Sequence, residues 1–369
     1  MMEINRKLVF NYNYQSFLIY PDLPYALLDK YRYDLMAPLV TRDGILYMGL
    51  EDLRRVYSPG STLPEPESGG FTDGGRVYVP VVPYLSDHLK LKCTISQNRY
   101  IFSRDGVSAG RFENLWWDLY GRNKDWGDLY RVFWYEPLQR LLPYRLYIPT
   151  WYDGSQAMKL LCILHGGGST TDEAFDNTGN RLQQYAEKLG YICLSIDAAL
   201  GDSTYGCLLM PEGADIPELD FSCKENPLHL SEESIALRKM AEDSVIRVID
   251  LVCGTYHIDM DHRYLFGNSM GGMGAFHLPA THPGIFRAAV PAGAAPDMRG
   301  FPYEKLKGVP LLLIAGTEDY HGFDYIRNAY RKTKEEGLDI RFLPVAGGHH
   351  EDCYKEVLQE IFDFLEENS

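Results

Sequence analysis

The segment Arg263-Tyr264-Leu265-Phe266-Gly267-Asn268-Ser269-Met270-Gly271-Gly272 runs from an apolar strand into a glycine-bracketed turn and then into a run of small, helix-compatible residues. A serine carried on so sharp a strand-to-helix turn has strained backbone angles, and glycine at 267 and 271 lets neighbouring chain approach where a side chain would clash. Ser269 is then expected to stand above a sheet at the positive end of a helix. A glycine turn ahead of a helix also suits phosphate, but the nucleotide motifs are missing. Gly272-Met273-Gly274-Ala275-Phe276-His277 lacks the third glycine of a dinucleotide fingerprint, and no Gly-x-x-x-x-Gly-Lys-(Ser/Thr) occurs.

Outward from this turn, strand-like apolar runs alternate with helical periodicity from Tyr144 onward. The runs are Leu160–Leu164, Ile192–Ile196, Tyr264–Phe266, Ala288–Val290 and Leu311–Ala315; between them Asn180–Leu189 reads as an amphipathic helix and Ser231–Cys253 as a helix capped by Ser231 and stopped by Gly254. That rhythm predicts an α/β fold with a mostly parallel, doubly wound sheet. Upstream, His165-Gly166-Gly167-Gly168 follows the strand Leu160–Leu164 and offers bare backbone N–H groups. An oxyanion hole built from Gly167 or Gly168 together with Met270 is expected, with His165 bracing the loop.

A serine hydroxyl needs a base, and the base needs a carboxylate to orient it. Downstream, Gly316-Thr317-Glu318-Asp319 and Ala346-Gly347-Gly348-His349-His350 each follow a strand, giving the chain order Ser, Asp, His. Asp319 is preferred over its neighbour Glu318 and over Asp297. His349 is preferred over His350, because the preceding glycines suit a tight loop that turns one ring inward. His257, His262, His277, His282 and His321 are read as surface or structural. The base loop has no His-Glu-x-x-His helix beside it, so no metal is expected.

Together with Tyr144-Arg145-Leu146-Tyr147-Ile148-Pro149 and the run Ile258–Phe266, these motifs resemble the α/β-hydrolase esterases related to polyhydroxybutyrate depolymerases and feruloyl or acetyl xylan esterases. The resemblance spans about residues 140 to 366. It implies a canopy of eight or so strands and cofactor-free ester hydrolysis by Ser269, Asp319 and His349, on small or carbohydrate-borne esters. Prolyl oligopeptidase-type peptidases share the elbow, but no propeller-sized domain precedes it here. A binding protein that retained the fold is the non-enzyme alternative, against which the intact Ser, Asp and His stand.

The 369 residues suit two or three domains at roughly 150 each, and ordinary apolar (45%) and charged (24%) usage predicts a folded chain. A small β-rich accessory domain is expected over 1–105, an aromatic-rich junction over 106–140 and the hydrolase domain over 141–369. Within the first, Asp43-Gly44-Ile45-Leu46-Tyr47-Met48-Gly49-Leu50 is echoed by Asp73-Gly74-Gly75-Arg76-Val77-Tyr78-Val79-Pro80-Val81, each a turn dipeptide followed by alternating large residues. The repeat resembles the copper amine oxidase N-terminal-like domain. No metal-ligand cluster accompanies it, so the resemblance implies an accessory module without copper; a homo-oligomer formed through this domain is a separate expectation.

In the junction, Trp116, Trp117, Trp126 and Trp134 are read as interdomain packing in preference to a sugar-stacking platform. The stretch Gly201–Leu230 is either a lid or acyl-pocket wall above the strand ends, or surface decoration. A net charge of −15 repels phosphate backbones and anionic lipids, so neither nucleic acid nor membrane is an expected partner. The first twenty residues lack a signal-peptide pattern, which points to the cytoplasm as written, or to export if the start has been processed. Seven cysteines without a Cys-x-x-Cys pair disfavour zinc; Cys207 and Cys223 flank a loop and are placed to pair in an oxidising compartment.

Overall fold

The computed structural model describes residues 16–58, 63–96, 99–104, 125–199, 203–208, 230–298, 300–319, 322–349 and 351–369. Trp116, Trp117, Cys223, His321, His350 and most of Gly201–Leu230 lie outside these residues. The chain divides into two compact units. Among the described residues, one spans 16–125 with 130–143, the other 126–129 with 144–369.

The smaller unit holds β1 (Ser16–Ile19), β2 (Tyr25–Leu28), β3 (Tyr31–Asp34), β4 (Val40–Arg42), β5 (Ile45–Gly49), β6 (Phe71–Asp73), β7 (Arg76–Pro80), β8 (Lys92–Ser96) and β9 (Arg99–Ser103). The two echoed segments form two hairpins, β4-β5 and β6-β7, each followed by a helix, Leu50–Tyr57 and Val81–Leu89. Their turns are built on consecutive positive φ angles, 50° and 76° at Asp43 and Gly44, 54° and 78° at Gly74 and Gly75. That geometry matches the twist of the flanking strands. β5 pairs antiparallel with β7, so the repeats meet as a four-stranded sheet β4-β5-β7-β6. Met48, Leu53, Val79 and Leu85 close its core with Phe17 and Phe102. From the junction, Trp134 packs against this same cluster, and its indole N–H donates to Glu136.

After β10 (Gly127–Tyr135) and β11 (Arg140–Ile148), the larger unit adds β12 (Met158–Leu164), β13 (Tyr191–Ile196), β14 (Ile258–Asn268), β15 (Ala288–Ala292), β16 (Leu311–Gly316) and β17 (Ile340–Val345). Its strand order is β17-β16-β15-β14-β12-β13-β11. All neighbours are parallel except β11 against β13. Alternate residues serve opposite faces. Leu161, Ile163, Tyr264 and Phe266 meet helices Arg181–Leu189 and Leu358–Glu367 through Leu182, Ala186 and Phe362, which leaves Leu160, Cys162 and Leu164 to the other face. Burial on both faces explains why these strands read as unbroken apolar runs.

Helix Glu232–Thr255 begins as its sequence indicates, with the Ser231 side chain accepting the Ser234 N–H. Its end is a correction: Gly254 does not stop it, and the helix continues to Thr255. Cys207 is buried, and Cys223, its expected partner, lies outside the described residues.

Glu242 on this helix joins it to helix Met270–Thr281 and the residue after it. One carboxylate oxygen lies 3.1 Å from His277 Nε2, the other 2.8 Å from His282 Nε2. Burial opposes charge on His277, but its hydrogen-bond partners Cys207 and Glu242 raise its pKa to about 9. Burial likewise opposes charge on Glu242, and His277 draws it down to about 2. A raised histidine pKa contributes stability that is complete below the ordinary value of 6.5 and lost as pH rises through about 9. A depressed glutamate pKa contributes stability present above 4.5 and lost as pH falls through about 2. Glu242→Gln should therefore cost about 2 kcal/mol near neutrality, several degrees of melting midpoint. Melting curves should show the gap narrowing as pH rises from about 6.5 to about 9; a gap independent of pH would contradict the ion pair.

Candidate active site

β12 and β14 lie side by side in parallel, with Leu164 opposite Gly267. Both strands therefore end at one level, and the segments leaving them share one rim of the sheet. At Ser269 the chain turns through φ 53° and ψ −116° into helix Met270–Thr281. The Ser269 N–H is held by the Ala292 carbonyl at 2.8 Å. The turn is tight enough that a Cβ added at Gly267 would lie 2.1 Å from the Gly271 carbonyl oxygen, and one at Gly271 would lie 2.1 Å from that of Leu164. Real side chains do not tolerate either contact.

Ser269 Oγ lies 2.8 Å from His349 Nε2, and His349 Nδ1 lies 2.7 Å from Asp319 Oδ2. The Asp319 side chain is 5% exposed and that of His349 37%, so the carboxylate is sheltered while the ring faces the open side. The second Asp319 oxygen accepts the Gly322 N–H at 3.0 Å, which fixes the carboxylate plane. The loops that carry Asp319 and His349 are laced together. Thr317 N–H donates to Val345 and Glu318 N–H to Gly347, while a Cβ at Gly316 would strike the Gly348 carbonyl at 2.0 Å. Glu318, whose side chain shares that loop, is exposed.

The His165–Gly168 loop is held from both sides. Gly166 N–H donates to Glu173 Oε2 at 2.7 Å, which occupies that amide. His165 Nε2 accepts the Ala198 N–H at 3.2 Å, so Nδ1 carries the proton and donates to the Gly166 carbonyl at 2.7 Å. The Ser169 N–H reaches the same carbonyl at 3.2 Å. Because a trans peptide is planar, pinning this C=O points the Gly167 N–H the opposite way. A Cβ at Gly166 would lie 3.5 Å from Ser269 Cβ, and one at Gly167 3.9 Å from Met270 Cβ. Met270 opens its helix, so its N–H has no carbonyl four residues back to bond. Gly168 has φ 74° and open space around it.

Three further side chains meet these residues without having been singled out in the sequence. Glu173 Oε1 accepts Asn268 Nδ2–H at 3.1 Å, and Asn268 Oδ1 lies 3.4 Å from Cys353 Sγ. Burial pushes the Cys353 thiol up to about 12, so it keeps the proton that it donates. Asn268 lies within the elbow motif itself; nothing in the spacing of Glu173 or Cys353 marks either one. Of the stretch after β13, residues 203–207 are buried, with the Tyr205 hydroxyl donating to the His165 carbonyl at 3.2 Å. Among the described residues, no group of three or more His, Cys, Asp or Glu side chains is arranged to hold a metal ion.

No protein-family model and no curated protein matches the chain. Solved structures do. An S-formylglutathione hydrolase from Staphylococcus aureus is similar at 14% identity and TM-score 0.50, over 65% of this chain and 98% of that one. A ferulic acid esterase is similar at 16% and 0.50, over 66% and 98%. A thermostable esterase is similar at 22% and 0.48, over 65% of this chain but only 62% of its own length. At such identity the first two likenesses speak to fold, and with the strand order they show an α/β-hydrolase fold.

The contacts at the elbow set a sharp contrast between two glycines. Gly271→Ala should destabilise the larger unit by more than about 3 kcal/mol or prevent soluble folding. Gly348, with nothing within 4 Å of an added Cβ, should accept alanine with little change in melting midpoint. A native-like Gly271→Ala would show that the turn is looser than described.

Proposed function

We propose that the chain is a serine hydrolase of carboxylic esters, and the hydrogen-bonded series Ser269, His349, Asp319 is the observation that carries this reading. His349 takes the Ser269 proton as the oxygen attacks the ester carbonyl. Asp319 holds the ring in its acting tautomer and stabilises the imidazolium. The negative charge that develops on the carbonyl oxygen is met by the N–H groups of Gly167 and Met270, with Gly168 as the neighbouring donor. His349 then protonates the departing alcohol, and water, activated by the same ring, releases the acyl group from Ser269. The residues supply every proton transfer, so no cofactor is required.

For the substrate, we favour acetyl- or feruloyl-type esters of carbohydrates or related small esters, on the sequence resemblance and the ferulic acid esterase among the similar structures. Residues 1–105 are assigned an accessory role, including homo-oligomer contact, and 141–369 the chemistry. A fluorophosphonate probe should label Ser269 alone. Ser269→Ala and His349→Ala should each lower turnover of a chromogenic ester by about four orders of magnitude with native circular dichroism. Labelling that persists in Ser269→Ala would contradict the assignment. A panel from acetyl to cinnamoyl esters, with a prolyl amide alongside, tests the substrate class; preference for the amide would favour a peptidase.

A further inference from the structure

The three segments that meet at the site belong to different strand ends, and side chains beneath them tie all three together. Glu173 opens the short helix Glu173–Asn177. Its two carboxylate oxygens are divided between two segments: Oε2 takes the Gly166 N–H of the glycine loop, Oε1 takes the Asn268 amide of the elbow. Asn268 is 2% exposed and uses its remaining oxygen on Cys353, whose sulfur also lies 3.7 Å from the His349 carbonyl. Each Glu173 oxygen thus has a donor from a different loop. A carboxylate suits this position because it presents acceptors on both sides and no donor.

We propose that Glu173 is a positioning residue for ester hydrolysis, its carboxylate acting through Gly166 and Asn268 to hold the oxyanion-hole loop at a set distance from Ser269. This rests on the serine-hydrolase reading above. Gly166 is flanked by two peptide groups, and Glu173 anchors the one ahead of it while His165 and Ser169 anchor the one behind. Freed at its N–H, the loop can rock about that residue, and Gly167 N–H departs from the point where the oxyanion forms. An ester in its ground state makes little use of that donor, whereas the tetrahedral species does. The loss should therefore fall on kcat and leave KM nearly as it was.

Glu173→Gln replaces one acceptor oxygen by an NH2 group, so one of the two N–H donors loses its partner while size and shape are kept. Turnover per active site, normalised by fluorophosphonate titration, should drop about 30-fold with KM changed less than about threefold. Asn268→Ala should show a similar loss. The double variant should lose little more than the worse single one, because both act through one connection. A trifluoromethyl ketone, which mimics the tetrahedral species, should bind Glu173→Gln more weakly by the same factor as kcat falls. If kcat per titrated site stays within about twofold of the parent, or if the two losses multiply, the positioning role is overturned and Glu173 is a structural contact. Ser269→Ala, assayed in parallel, separates the two readings: residual hydrolysis there would overturn the serine mechanism itself, whatever Glu173 does.

Discussion

The parallel register that puts Leu164 opposite Gly267 is the constraint on which the site depends. It ends two strands at the same height, so the glycine loop and the serine turn leave the sheet as neighbours. The approach of their backbones is closer than any side chain allows, with the Leu164 carbonyl filling the space where a Gly271 Cβ would stand. The same crowding forces Ser269 into its strained conformation, which projects its hydroxyl away from the sheet. Hydrogen bonding of Ser269 N–H to Ala292 on the next strand leaves the turn no room to relax.

Much of this was legible because it is local. The five-residue elbow carries its own steric explanation, and both hairpin turns of the repeat are written in Asp-Gly and Gly-Gly. The strands of the larger unit announce themselves as apolar runs because both faces of a parallel sheet are covered. Their order along the chain also placed Asp319 and His349 at strand ends before any geometry was known. Helix Glu232–Thr255 shows the limit of such signals, since Gly254 is its penultimate residue and does not take a positive φ. A glycine ends a helix only when the chain needs a left-handed residue there.

What stayed illegible is whatever depends on distant residues meeting. Glu173 and Cys353 are separated from Asn268 by 95 and 85 positions, and no spacing rule links them. The choice between Asp319 and Glu318 is a matter of which neighbour turns inward. The sheltered Asp319 accepts Gly322 N–H on one oxygen and His349 on the other, while Glu318 points outward. The Glu242 ion pair with His277 is similarly silent in the sequence, although it bridges two helices that flank the elbow strand.

If Ser269 is the nucleophile, a reacting carbonyl should have its oxygen among the backbone N–H groups of Gly167 and Met270. A crystal structure of the protein inactivated by a small p-nitrophenyl phosphonate tests it directly, because the adduct is tetrahedral and anionic like the species it imitates. The account predicts phosphorus bonded to Ser269 Oγ, one phosphonyl oxygen within about 3 Å of both N–H groups, and His349 still hydrogen-bonded to Asp319. Phosphorus on another residue, or a phosphonyl oxygen turned to solvent with those N–H groups unused, would contradict it.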